Sequence, residues 1–365
     1  MRAAQSGRRG AGRGPRPDPQ RRAVPAGRPA ALGRRADGRL RAHRRPQCLT
    51  PPCPTPQGET PCRRRTRRSA SWSPPGTGPG CWNAPSRASS ARTTPGRIEC
   101  IVVYDHVDVR ELDVPAGPDR SLKLIANTHR QGLPGGRNSG VEAATGELLA
   151  FCDDDDIWLP TKLSRQAERL ADPAIGAVSC GLRLRGPGID KERVLDRDLV
   201  VLDELLADRV MEVHSSTMLV RRSTWAAAGE VDEDIPGGYS EDYEWLLRVS
   251  AHTPIAVVRE ALVVVDWHGG SFYFGRWATI VEAQRYLIDK HPELARSRAG
   301  MARLRGQIAF ALASGHRRTE AVKELAAVVR LNPREKRVLV TVPVILGLMT
   351  GERVLRMAQK RGKGI

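Results

Sequence analysis

The feature that most constrains this chain is a short apolar run, residues 148–152 (Leu-Leu-Ala-Phe-Cys), that ends in four carboxylates, Asp153, Asp154, Asp155 and Asp156. An apolar run of this length reads as a strand. In open α/β sheets, ligands gather at the carboxyl ends of the strands. Carboxylates set this close repel one another unless a cation neutralises them, and hard oxygen ligands suit Mg²⁺ or Mn²⁺. Such a cation keeps positions open for phosphate oxygens, so the run points to a metal-bound phosphorylated ligand. An apolar strand ending in acids also describes the Mg²⁺-binding strand of an ATPase. That reading needs a Gly-x-x-x-x-Gly-Lys-Ser/Thr loop, and the sequence has none.

The surrounding residues carry a resemblance. Arg137, Asn138, Gly140, Ala143, Gly146, Phe151, Asp153, Asp155, Asp156, Trp158 and Pro160 stand at the spacing of the central block of the family 2 glycosyltransferases. A second block, Gly237-Gly238-Tyr239-Ser240-Glu241-Asp242 with Arg248 beyond it, resembles that family's Glu-Asp-x-x-x-x-x-Arg segment. The resemblance implies a GT-A fold: an α/β nucleotide-sugar-binding domain with a mostly parallel sheet flanked by helices. It also implies metal-dependent, inverting transfer from a nucleoside-diphosphate sugar to a hydroxyl of a saccharide or lipid-linked acceptor. By it, Asp153 and Asp155 hold Mg²⁺ or Mn²⁺, Asp153 also meeting the donor ribose, and Arg137 and Asn138 help to bind the donor. Asp242 is the catalytic base; Glu241 is the reserve for that catalytic role and more readily holds the acceptor. Asp156 reads more simply as a cap on the following turn. Acids in a helix's first turn are also favoured by its dipole, so capping alone accounts for Glu241 and Asp242 without catalysis.

Two further positions match the family in part. Asp105 ends a strand where the family has Asp-Asp-Gly-Ser, and it is the one matching acid for the nucleoside. His268, in Asp266-Trp267-His268-Gly269-Gly270-Ser271, falls where relatives place a metal- or diphosphate-facing histidine. A lone histidine is as readily structural. The other readings are a sugar-phosphate nucleotidyltransferase, which needs a basic Gly-rich loop after the first strand, and a non-catalytic sugar-nucleotide-binding relic.

The chain has 365 residues, enough for a large catalytic domain with an appendage, and a net charge of +18. Residues 1–97 hold 22 Arg and no Lys against Asp18, Asp37 and Glu59, more positive charge than the whole chain carries. The remainder is close to neutral, so the charge says nothing of the folded part's partners, and no nucleic-acid partner is expected. This head also lacks Ile, Phe and Tyr and has no helical or strand period. It reads as a disordered segment, ahead of a basic nucleic-acid arm or a transit peptide. The missing residue types have A/T-rich codons, which suggests a GC-rich gene read out of frame. Back-translating residues 71–83 from each codon's third base yields Val-Val-Pro-Thr-Arg-Asp-Arg-Pro-x-Leu-Leu-Glu, much like the family's first strand and helix. The frame returns near Arg97.

From Ile98 the texture is globular. Strands are predicted over residues 98–104, 122–126, 147–152, 177–184, 215–221 and 263–270. A Gly-rich loop is predicted at 132–136, and helices at 137–144 and 161–170. This alternation is that of a largely parallel α/β sheet. The domain boundaries are set at 1–97, 98–270 and 271–365. The last region is helical over 277–290, 293–312, 318–330 and 335–347, and its texture resembles the helical tails of actinobacterial-type family 2 enzymes. The seven cysteines have no Cys-x-x-Cys pair, so neither a zinc site nor a disulfide framework is expected. No secretory apolar segment follows the first arginines, and the apolar run 338–349 is too short to span a bilayer. With Arg353, Arg356, Lys360, Arg361 and Lys363 beside it, that run suits either packing on the catalytic domain or an anionic membrane surface. The expected location is cytoplasmic, including the inner face of the membrane.

Overall fold

β-branched and apolar residues build the strands that carry the core. In the computed structural model, which describes residues 94, 96–112, 119–266 and 275–359, Ile98–Tyr104 (β1) pairs in parallel with Arg120–Ala126 (β2). All described residues lie in the unit Arg67–Ile365. The expectations for residues 1–93, the frame reading among them, and for Trp267 and His268 lie outside the described residues.

A second sheet contains Leu148–Ala150 (β3), Ile157–Trp158 (β4), Ala177–Gly186 (β5), Ile189–Arg193 (β6), Leu199–Val200 (β7), Leu219–Arg221 (β8) and Ile255–Asp266 (β9). Its order is β3-β8-β5-β9-β4, with β6 on β5 and β7 on β9. β5 and β9 run parallel from Ala177 opposite Ile255 to Arg185 opposite Asp266. The other pairs of this sheet are antiparallel. The α/β class stands, with a mixed sheet rather than a largely parallel one. The cause is local: β5 turns back into β6 through Pro187 and Gly188 (φ 75°), and β3, β4 and β8 are two or three residues long. Gly181 sits at the register shift between β5 and β9, where a Cβ would lie 2.7 Å from Val194 Cγ2 and 2.9 Å from Glu260 O. β9 carries a nearly continuous apolar run, as a strand covered on both faces requires.

Helix α1, Leu133–Ala143, starts four residues before the expected Arg137 because the Gly-rich stretch is its first turn. Gly132 (φ 125°) leads in, and Pro134, which needs no amide partner at a helix start, follows. Gly135 packs on the preceding loop, where a Cβ would sit 2.0 Å from Arg130 O. Lys162–Arg169 (α2), Leu202–Ala207 (α3), Arg222–Ala228 (α4) and Glu241–His252 (α5) complete the helices around the sheet. The strand expected at 215–221 is half 3₁₀-helix, Ser215–Thr217, before β8.

The C-terminal region holds Trp277–Lys290 (α6), Arg298–Ser314 (α7), Arg318–Leu331 (α8), Arg337–Ile345 (α9) and Gly351–Gln359 (α10). α7 is its core: Leu304, Ile308, Phe310 and Leu312 are all buried. Ser297 caps it by accepting from Gly300 N at 3.1 Å. A second buried cluster joins the sheet to α4 and α5. In it Phe151, Trp225 and Trp245 stack with ring centroids 5.2–5.7 Å apart. Aromatic pairs at this spacing contribute beyond their buried area. Phe151 immediately precedes the acid run, so this trio fixes where the acids emerge relative to α5.

Candidate active site

Two stretches more than eighty residues apart meet at one guanidinium. Arg137, in the second turn of α1, donates through Nη2 to Asp153 Oδ1 at 2.9 Å and through Nη1 to Glu241 Oε1. Asp153 also accepts from Ser215 Oγ through Oδ2 at 3.0 Å, and its amide donates to Ser216 Oγ at 3.0 Å. Asp242, next to Glu241 at the start of α5, accepts from Arg209 Nη2 at 2.5 Å and from Tyr243 N at 2.7 Å. The Asp–Arg–Glu chain thus ties the carboxyl end of the β3 segment to the N-terminus of α5. Ser240, the residue before α5, makes no side-chain cap and is left-handed (φ 67°). The acids of the first turn therefore serve the site as well as the helix dipole.

The charges sort themselves within this cluster. Burial works against ionising Asp153, but Arg137 and His214 hold its carboxyl below the usual range. The same holds for Asp242, where Arg209, His214 and Arg137 outweigh burial. Glu241 goes the other way: burial, with the charge of Asp242 beside it, pushes it up to about 7 in spite of Arg137. Arg137 faces two carboxylates, and its charge is held tightly by Asp153 first. Asp242 is consequently the ionised member of the adjacent pair and Glu241 the one that carries a proton near neutrality.

Asp156 is 1% exposed and sits at the turn that closes on Asp153, with its amide donating to Asp153 O at 3.1 Å. Its Oδ2 has no hydrogen-bond partner and lies 3.7 Å from His214 Nδ1. Burial and the charge of Asp153 raise the Asp156 carboxyl well above its usual range. Asp153, Asp156 and His214 offer one ligand atom each, all within 4.8 Å of one another. Of the two expected aspartate ligands, Asp153 is in that group and Asp155 is exposed and outside it, whereas Asp156, read as a turn cap, is inside it. His214 was not singled out in the sequence. Its only signal there is a histidine just ahead of a Ser-Ser-Thr turn. Arg209 and Ser215 carried none.

Two expected donor residues have their polar groups engaged within the chain. Asp105 is fully buried and accepts from Asn127 Nδ2 at 2.8 Å and Gly132 N at 2.9 Å. Asn138, 2% exposed, exchanges bonds with the backbone of Val231 and donates to Glu233 Oε1 at 2.7 Å. Both therefore hold the loop before α1, and α1 itself, in place, and so position Arg137. Trp158 anchors the far side of the acid turn by donating to Ser216 O at 2.9 Å.

Residues 86–223 match the model of the family described as Glycosyl transferase family 2, a span that includes β1 through β8 and ends before α5. A UDP-Glc:alpha-D-GlcNAc-diphosphoundecaprenol beta-1,3-glucosyltransferase, WfgD of Escherichia coli, is 42% identical over 48 residues, 13% of this chain and 19% of its own. The succinoglycan biosynthesis protein ExoO of Rhizobium meliloti is 41% identical over 78 residues, 21% of this chain and 22% of its own. The chain thus spans about a fifth of the length of these curated relatives. Among solved structures, the mannosyltransferase PcManGT of Pyrobaculum calidifontis, in complex with GDP-Man and Mn²⁺, aligns with 75% of this chain and 79% of its own at 17% identity and a TM-score of 0.42. Residues 86–223, which include Arg137 and the acid turn, thus match glycosyl transferase family 2.

Proposed function

We propose that this chain transfers a glycosyl group, with inversion, from a nucleoside-diphosphate sugar to a hydroxyl of a saccharide or lipid-linked acceptor. The observation that carries this reading is Arg137 bridging Asp153 and Glu241, which sets the acid turn and the carboxylate of Asp242 around one space. In the reaction Asp242 takes the proton of the acceptor hydroxyl as that oxygen bonds to the anomeric carbon. The bond from that carbon to the diphosphate breaks, and its electron pair leaves with the diphosphate oxygen. Protonated Glu241 donates a hydrogen bond to the acceptor, and Arg137 keeps the two acids in register with the donor site. The Escherichia coli and Rhizobium relatives, named for a lipid-diphosphate acceptor and for succinoglycan biosynthesis, favour an acceptor in polysaccharide assembly.

The orphaned, buried Oδ2 of Asp156 beside Asp153 and His214 fits a divalent cation. We assign Asp153, Asp156 and His214 to hold Mg²⁺ or Mn²⁺, with Asp155 as the further carboxylate of the same turn. Bound there, the ion neutralises the charge of the diphosphate leaving group. Nucleoside-diphosphate release from a panel of nucleotide sugars, with Mn²⁺ and after EDTA, tests this. Release is expected to stop with EDTA, and Asp153→Asn to be inactive yet folded. Unchanged release in EDTA contradicts the cation. If His214→Ala loses Mn²⁺ dependence while Asp155→Asn keeps it, the ligand set is the buried one.

A specific observation also favours contact with a membrane surface. Leu339 (76% exposed) and Val342 share one face of α9, with Leu346 (64%) and Leu348 (71%) just beyond its end. Arg353 and Arg356 follow on α10. An apolar face flanked by cations suits an anionic lipid surface. No helix among the described residues is long and apolar enough to cross a membrane.

A further inference from the structure

A cleft of about 460 Å³ opens among β6, α3 and the loop that follows it. That volume lies within the range of small-molecule sites. Its polar lining is Arg193, Arg197, Glu204, Asp208 and Glu212, with Leu195 and Met211 among the apolar residues. We propose that this cleft is the acceptor subsite and that it takes the terminal sugar of a neutral saccharide. The proposal rests on the transfer reading above and deepens it, by naming where the acceptor lies and what its chemistry is.

The position follows from Arg209. Its neighbours Asp208 and Val210 form part of the wall, and its guanidinium turns to Asp242 Oδ2 at 2.5 Å and Val213 O at 3.0 Å. The wall is thus tied to the carboxylate that takes the acceptor proton. Arg303 strengthens the tie, lying 3.8 Å from Asp208 Oδ1 and donating to Tyr243 Oη at 2.9 Å. The backbone is strained on both sides of this contact: Val210 has φ 26° and Ser240 has φ 67°. A β-branched residue at positive φ is costly, and such strain gathers where a site must be held in one shape.

The lining decides the class of ligand. Two guanidinium groups face three carboxylates, and Arg197 is already paired with Glu204 at 2.6 Å. A phosphate entering this cleft meets an excess of negative charge, which disfavours it. A sugar suits it better: carboxylates accept from neighbouring hydroxyls, and guanidinium groups donate to their oxygens. Leu195 and the half-exposed Met211 offer apolar surface for the C–H face of a ring.

Saturation-transfer NMR on the full chain tests this, with methyl glucoside, methyl N-acetylglucosaminide and inorganic phosphate as probes, each with and without UDP and Mn²⁺. At least one glycoside is expected to bind and phosphate is not. Ala207→Phe, which fills the cleft from the end of α3, is expected to abolish glycoside binding. Glu212→Gln is expected to weaken it about tenfold, the loss of roughly one charged hydrogen bond. Both variants are expected to keep the wild-type unfolding temperature and UDP affinity. Glycoside binding unchanged in both variants, phosphate binding that Ala207→Phe removes, or no glycoside binding to the folded wild type overturns the proposal. Failure of UDP to bind counts against the donor reading alone, because the glycoside arm is also read without UDP.

Discussion

At the scale of single residues, the site turns on how one guanidinium divides its charge. Arg137 holds Asp153 ionised, while Glu241, deeper and beside ionised Asp242, stays protonated up to about pH 7. For an acid whose folded pKa is raised, the folded state keeps a proton that the unfolded chain gives up near its ordinary value of 4.5. Stability therefore falls as pH rises from 4.5 through 7. The rate of transfer is expected to inflect near pH 7 as Glu241 loses its donor proton. In Glu241→Gln both the inflection and this part of the stability loss are expected to disappear, with turnover retained at high pH. A Glu241→Gln profile that keeps the inflection assigns it to another group.

At the scale of elements, α5 is held by a buried charge cluster just beyond Glu241 and Asp242. Glu244 is fully buried and accepts from Arg248, Lys290 and His291 at 2.7–2.9 Å. Against the penalty of burial, these partners lower it to about 2. Its stabilisation is complete above the ordinary glutamate range and is lost as pH falls from 4.5 through 2. His291, which bridges Glu244 and Glu293, is raised, so its share is present at low pH and lost as pH climbs past its folded value. Glu244→Gln is expected to cost about 3–5 kcal/mol, since it leaves buried cations without their counter-charge. It should also flatten the acid limb of the unfolding profile. Thermal unfolding between pH 2 and 8 checks both effects.

The elements also mark what the sequence could reveal. β1, α6 and the acid turn were legible because their signals are local: an apolar run, a helical period, a strand ending in carboxylates. The pairing directions were not, because a two-residue strand such as β4 carries no period of its own. Asp153, Glu241 and Asp242 announce themselves as clustered acids in family blocks. Arg209 and His214 reach the site only through folding, from a loop whose composition is ordinary. The roles of Asp155 and Asp156 diverge for a similar reason: alternation along four identical residues does not reveal which one the turn buries.

At the scale of the whole molecule, the proposed contact with an anionic surface has two candidate sources in the sequence, the 22 arginines of residues 1–97 and the apolar and basic residues of the C-terminal helices. Sedimentation with anionic vesicles separates them. Leu346→Glu with Leu348→Glu, in the otherwise intact chain, is expected to lower binding by an order of magnitude or so, given about 0.8 kcal/mol for each buried methylene. Binding unchanged by this pair assigns the attraction elsewhere in the chain.

The central claim is that the acids gathered by Arg137 drive glycosyl transfer with Asp242 as the base. Its most direct test is nucleoside-diphosphate release from a panel of nucleotide sugars by wild type and Asp242→Asn, with Mn²⁺ and a glycoside acceptor. Wild type is expected to turn over at least one donor, and Asp242→Asn to do so roughly 10²–10⁴-fold more slowly with donor affinity unchanged. Turnover by Asp242→Asn equal to wild type, or no turnover of any donor by the folded wild type, contradicts the account.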